Sequence, residues 1–122
     1  RDLADAVGAD GLHLPERMLD GAAARSWRHR HPARPLTAAC HSLAALRRAE
    51  RIGVDAALLS PVFPTASHPG APTLGPGRAL AMAEAVTLPV YALGGIDRVT
   101  IGRVPPVFAG IAAIGLFDNA PR

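Results

Sequence analysis

The sequence predicts a parallel α/β fold in which strands alternate with helices, and three observations carry that prediction. Short aliphatic runs recur about every twenty to thirty residues, the spacing βα units require. They are apolar at successive positions, as strands buried on both faces are. Glycine and proline punctuate the boundaries between runs. A doubly wound sheet and a (β/α) barrel both fit. A complete barrel needs roughly 200 residues or more, so 122 residues cannot supply eight units. One domain over residues 1–122 is expected.

The elements follow in order. Residues 2–7 read as the end of a helix with Gly8 as its cap. Gly11-Leu-His-Leu14 is a short strand, and Glu16 to Arg30 is a helix weakened by Gly21. Pro35 to Cys40 is the second strand. Ser42 caps a helix that reaches Ile52, with Leu43, Leu46 and Ala49 at helical spacing and Gly53 ending it. Val54 to Leu59 is the third strand. Pro76, suited to a first-turn position, opens a helix to Val86. Leu88 to Leu93 is the fourth strand and closes at Gly94-Gly95. Asp97 caps a short helix around Val99 to Val104, which Pro105-Pro106 halts, and Ala109 to Leu116 is the last strand.

Composition narrows the chemistry. At 49% hydrophobic and 19% charged the chain is globular, and with 4% aromatics its core is aliphatic. All 13 basic residues counted as lysine or arginine are arginine. With no lysine, Schiff-base catalysis is excluded, and anions are left to arginine, hydroxyls and backbone N–H groups. Arg25, Arg28, His29, Arg30 and His31 crowd one helix end. Cations suit a helix carboxyl terminus, and Trp27 stands without the aromatic interleaving of a stacking surface, so no nucleic-acid partner is expected. His29 and His31 read as surface residues, and His13 as a packed, hydrogen-bonded one. Cys40 is the single cysteine, which excludes an intramolecular disulfide; a small buried residue is expected over a nucleophile beside His41. No apolar run is long enough to span a bilayer and the amino terminus lacks a signal-peptide pattern, so a cytoplasmic location and no membrane partner are expected.

The most informative stretch is the loop Ser60-Pro-Val-Phe-Pro-Thr-Ala-Ser-His-Pro-Gly-Ala-Pro-Thr-Leu-Gly75. Pro61, Pro64, Pro69 and Pro72 fix φ and stiffen it around Thr65, Ser67 and His68. Rigid polar loops at the carboxyl ends of parallel strands are where such folds bind ligands. Gly94-Gly95 and Ile114-Gly115, after the last two strands, can offer backbone N–H groups to a monophosphate. No spacing of His, Cys and Asp supports a structural zinc site.

Gly8-Ala-Asp-Gly-Leu-His-Leu14, Ala39-Cys-His-Ser42, Gly53-Val-Asp55, Ser60-Pro-Val-Phe-Pro-Thr65, Pro89-Val-Tyr-Ala-Leu-Gly-Gly-Ile96 and Gly110-Ile-Ala-Ala-Ile114 occur in order. Together they resemble the carboxyl-terminal part of the thiamine phosphate synthase/TenI family, over nearly the whole chain. The resemblance implies a partial (β/α)8 TIM barrel lacking its first three βα units. Its two raw sheet edges would then be covered by a missing amino-terminal segment or by a homo-oligomer.

The resemblance also implies chemistry. Synthases of the family join a pyrimidine diphosphate to a thiazole phosphate and release pyrophosphate, with Mg²⁺ and cations absorbing the departing charge. TenI-type members use a histidine to move a proton on a thiazole carboxylate phosphate. Here that histidine is His41, and an imidazole can take and return a proton near neutral pH. Thr65, Ser67 and His68 stand where the family has Thr-x-Thr-Lys, and Ala39 stands where it has a serine. Pro15-Glu16-Arg17-Met18 replaces its metal-binding Gly-Gln-Glu-Asp, leaving Glu16 as the one acid that could substitute, with Arg17 beside it. The leading expectation is a TenI-like thiazole tautomerase acting through His41, with no particular cofactor implied. The alternatives are a Mg²⁺-dependent thiamine phosphate synthase and a non-catalytic binder of the same ligand.

Overall fold

A computed structural model describes residues 3–117 of the chain. The elements run α1 (Leu3–Ala6), β1 (Leu12–Leu14), a 3-10 turn (Glu16–Met18), α2 (Ala22–Arg30), β2 (Leu36–Cys40), α3 (Leu43–Ile52), β3 (Ala56–Leu59), α4 (Pro76–Glu84), β4 (Val90–Leu93), a 3-10 turn (Ile101–Arg103) and β5 (Gly110–Ala112). Asp2, expected in the first helix, lies outside the described residues.

All five strands are parallel and lie in the sheet in sequence order, β1-β2-β3-β4-β5. A doubly wound sheet must reverse its strand order partway. This one does not reverse, so the ambiguity left by the sequence resolves to an open section of barrel-type sheet. Unbroken right-handed crossovers put every connecting helix on one face. The parallel arrangement also gathers all strand carboxyl ends at one end of the sheet.

Pairing registers show what each face carries. Leu14, Leu36, Ala38, Cys40, Ala57, Leu59, Val90 and Ala92 point to one side and are buried. Trp27 of α2, Ala45, Leu46 and Ala49 of α3, and Ala79 and Ala83 of α4 close over them. The other side holds Thr37, Ala39, Ala56, Leu58, Tyr91 and Leu93, all only half-buried. Both faces are largely apolar, as the sequence pattern requires, with Thr37 and His13 the polar exceptions on the face that the described helices leave open. His13 lies on the open face, hydrogen-bonded through Nδ1 to the Thr37 hydroxyl at 2.8 Å, yet exposed rather than packed. Gly110 has no side chain because the Tyr91 ring lies over it: a Cβ there would stand 2.7 Å from Cε1.

Several boundaries differ from expectation: β3 and β4 each begin two residues late, α4 ends at Glu84 rather than Val86, the helix expected around Val99 to Val104 is the 3-10 turn Ile101–Arg103, and two differences are larger. The helix expected over Glu16 to Arg30 is split, because Gly21 adopts φ +91° and ends the 3-10 segment before α2 begins. The last strand is three residues long, not eight, and its tail turns away after Ala112. The other signals act as read. Ser42 Oγ accepts the Ala45 N–H at 3.1 Å, Gly53 closes α3 at φ +77°, and Pro76 opens α4.

Polar side chains stitch the elements together. Asp55 accepts the Leu36 N–H at 2.7 Å and pairs with Arg28 at 2.7 Å. Burial pushes its carboxyl pKa up, but Arg28 and the Leu36 N–H outweigh that and hold it low. Arg28 also donates to the carbonyls of Arg34 and Gly53. Part of the basic cluster is thus spent on the chain's own backbone. His31 is half-buried rather than a free surface residue: its ring packs 4.4 Å from that of Trp27 and its Nε2 meets Asp5. Glu50, in the last turn of α3, accepts from the Thr87 N–H and hydroxyl at 2.7 Å each and from the Leu88 N–H at 3.1 Å. It therefore pins the turn that leads into β4.

The Thr87 hydroxyl, followed by the Thr87 and Leu88 N–H groups, holds the Glu50 carboxyl below its ordinary 4.5. A lowered folded-state pKa contributes stability above the unfolded value, and that contribution is lost as pH falls through the folded one. Glu50→Ala is expected to lower the melting temperature at pH 7. The gap to wild type should close as pH is taken below 4.5, which thermal melts across pH check.

Candidate functional site

The site begins where β3 runs out. Ser60-Pro61 is a cis peptide, and Val62 and Phe63 then drop into the core. Val62 N–H donates to Leu93 O and Phe63 N–H to Gly94 O, both at 3.0 Å, so the loop continues alongside the end of β4. The returning limb is tied to the outgoing one: Leu74 N–H donates to Pro61 O and Gly75 N–H to Val62 O, each at 2.9 Å. Residues 64–73 project from this double seam. At their start Thr65 Oγ1 accepts the Ser67 N–H at 3.1 Å, leaving its own hydroxyl proton free to donate.

The turn after β4 lies against that seam. A Cβ on Gly94 would come 2.7 Å from Pro61 Cα, and one on Gly95 would come 2.2 Å from Pro64 O and 2.8 Å from Phe63 O. Both glycines also hold positive φ, +104° and +63°. They are required on two independent grounds, conformation and contact. No hydrogen bond within the described residues occupies the N–H of Gly95 or Ile96.

Two cavities open between these turns. The first, about 310 Å³, is lined by Thr65, Ser67, Gly94, Gly95, Ile96 and Asp97, among others. The second, about 320 Å³, is more apolar and is lined by His41, Ser60, Pro61, His68, Pro72 and Leu93, among others. Thr65, Ser67, Leu93, Gly94 and Ile114 border both. Each reaches the lower end of the size range for small-molecule sites. Of the residues singled out from sequence, His41, Thr65, Ser67, His68, Gly94, Gly95 and Ile114 therefore meet. Gly115 does not: it lines a separate hollow with Asp97, Arg98 and Val99, joined to the others through Ile114 and Asp97.

His41 stands at the end of β2 with its ring against β3. Its Nδ1 is 2.9 Å from Ser60 O and 3.3 Å from Ser60 Oγ. A carbonyl only accepts, so Nδ1 carries a proton, and in the neutral ring the lone pair is on Nε2. That tautomer suits proton abstraction by Nε2. Cys40, one residue earlier, points the other way into the core. Burial, reinforced by the nearby Glu16 charge, pushes its thiol up to about 11, which ends any nucleophilic role at neutral pH.

Asp97 and Arg98 are site neighbours that sequence reasoning passed over, although they follow the Gly94-Gly95 turn directly. Asp97 is a cap, as read, but of a turn: Oδ1 accepts the N–H groups of Val99 at 2.8 Å and Thr100 at 2.9 Å. These bonds, the Thr100 N–H first, hold its carboxyl pKa low. Arg98 is an exposed guanidinium in the hollow beside Gly115.

The described residues do not by themselves form an all-protein cage for Mg²⁺. No group of three or more His, Cys, Asp and Glu side chains converges among the described residues. Glu16, the one acid that sequence offered, has Oε2 on the His41 N–H at 2.6 Å and Oε1 facing Arg48 at 3.9 Å. Among the described residues no helix is long and apolar enough to cross a membrane.

Comparison with known proteins identifies the family and the fold. The family described as thiamine monophosphate synthase matches residues 1–116. A putative thiamine-phosphate synthase 2 of Aquifex aeolicus (strain VF5) is 37% identical over 118 residues, 95% of this chain and 61% of that protein. A thiamine-phosphate synthase of Chlorobium luteolum is 37% identical over 122 residues, 99% of this chain and 56% of that protein. The chain thus spans little more than half the length of these relatives. Among solved structures, a thiamine phosphate pyrophosphorylase from Pyrococcus furiosus superposes with a TM-score of 0.71 at 29% identity, covering 91% of this chain and 52% of that one. A 3-hexulose-6-phosphate synthase, at 16% identity and a TM-score of 0.64, shares the fold alone.

Gly95→Ala places a methyl against the Pro64 carbonyl and forces a residue with a side chain into the left-handed region. The conformational part alone costs about 1–2 kcal/mol. Urea unfolding is expected to show a loss of at least that size, and an unchanged midpoint would contradict the packing described.

Proposed function

The chain belongs to the thiamine monophosphate synthase family, and we propose that its joined cavities hold the thiazole phosphate used in thiamine phosphate synthesis. The phosphate sits on the Thr65 and Ser67 hydroxyls and the Gly95 and Ile96 amides. The ring lies in the apolar cavity beside His41 and His68. The observation that carries this reading is the shared wall: the polar and the apolar cavity meet along Thr65, Ser67, Leu93, Gly94 and Ile114, matching a ligand with one anionic end and one planar end. Relatives named as synthases support the coupling reaction over the tautomerase.

Coupling requires that charge on a departing diphosphate be absorbed. The described residues bring no three acids together, so on this reading their part is to bind and orient the acceptor, with Arg98, exposed in the adjoining hollow, as the nearby cation for a diphosphate. His41-dependent tautomerisation is the second reading. It is favoured by one observation, the bond from Nδ1–H to Ser60 O that leaves Nε2 basic.

Calorimetric titration with the thiazole phosphate is expected to show saturable binding at one site, and no binding would overturn both readings. Pyrophosphate release from the two synthase substrates with Mg²⁺ then separates them. Release that survives His41→Ala supports coupling. Absence of release, together with tautomer conversion that His41→Ala abolishes, supports the second reading. Binding with neither activity leaves a ligand-holding domain.

A further inference from the structure

Glu16 lies on the 3-10 turn after β1, remote in sequence from His41, and the two cavities described above do not include it among their lining residues. Its carboxylate nevertheless reaches the backbone of β2. Oε2 accepts the His41 N–H at 2.6 Å, a short bond of the charge-assisted kind. Oε1 faces the Arg48 guanidinium of α3 at 3.9 Å. The His41 N–H belongs to the junction between β2 and the α3 cap, where neither ladder nor helix supplies an acceptor. On its other side, His41 is held through the ring by Ser60 O at the end of β3, and Ser60 N–H in turn donates to Cys40 O at 3.1 Å. His41 is thus fixed from two directions, its backbone by the strand before and its ring by the strand after.

We propose that Glu16 is a positioning residue for His41, setting the backbone so that the imidazole keeps Nδ1–H on Ser60 O and Nε2 toward the cavity. The inference rests on the reading of that cavity as the ligand site, but its geometry stands apart from any activity. Removing the carboxylate frees the β2–α3 junction to turn. The ring then loses its single hydrogen-bonded tautomer and exchanges between orientations. An amide at residue 16 retains an acceptor oxygen, so Glu16→Gln should preserve the arrangement where Glu16→Ala does not.

The test is nitrogen-15 NMR of the chain, read at the His41 ring and amide. Wild type and Glu16→Gln are expected to show a single Nδ1–H tautomer and a protected His41 amide. Glu16→Ala is expected to show averaged ring nitrogens and amide exchange faster by about ten-fold or more, with circular dichroism unchanged. If Glu16→Ala fails to fold, Glu16→Asp, whose shorter side chain withdraws from the N–H, serves in its place with the same expectation. A wild-type ring tautomer in the variant that lacks the contact overturns the proposal. Failure of wild type to bind the thiazole phosphate would sink the functional reading while leaving this readout intact.

Discussion

The carboxyl end of this sheet depends on the seating of one backbone turn directly on another. Gly95 lies against the carbonyls of Phe63 and Pro64 with no room for a side chain. The Val62 and Phe63 amides bond to the end of β4 in the same region. This seam converts a proline-rich loop into a fixed wall. Without it, Thr65 and Ser67 would have no set position relative to the Gly95 and Ile96 amides. Neighbouring strands converge on one polar cavity because two glycines let their backbones touch.

The sheet explains why the site lies where it does. Sequential parallel order puts Glu16, His41, Ser60, Gly94 and Ile114 at the same end, each just past its strand. One face is sealed by α2, α3 and α4 with small side chains, Ala45, Ala49, Ala79 and Ala83, which bring the helices close. The other face, with Leu58, Tyr91 and Leu93, is only half-covered. Polar side chains do the joining between elements. Glu50, Asp55 and Glu16 each accept a backbone N–H from a distant segment, and all three reach across rather than along the chain.

Much of this was legible in the sequence because proline and glycine act locally. Ser42, Gly53, Pro76 and the glycine pair work through their own backbone, so their positions fixed the helix boundaries and the turn. The loop of residues 60–75 was readable for the same reason. What was not legible depends on contacts between distant segments. A carboxylate at position 16 looks like a metal ligand until the fold brings the His41 amide to it. Asp97 borders both the polar cavity and the hollow that holds Arg98, and Ile114, beyond the short β5, lines both with it. Gly21 was read as a weak point in one helix. Its positive φ instead divides that segment in two, a choice that depends on the space left beside Ile52 and Arg25. Whether the strand order reversed was invisible to hydrophobic periodicity, which records burial and not neighbours; the family resemblance alone pointed to barrel order, and the sheet has it.

The most direct measurement is backbone amide shift mapping during titration with the thiazole phosphate. A contiguous set of perturbed amides is expected at Thr65, Ser67, Gly95 and Ile96, extending to His41, with none around Arg25 to Arg30. Saturable shifts confined to that basic helix, with the Gly95 turn silent, would contradict that placement.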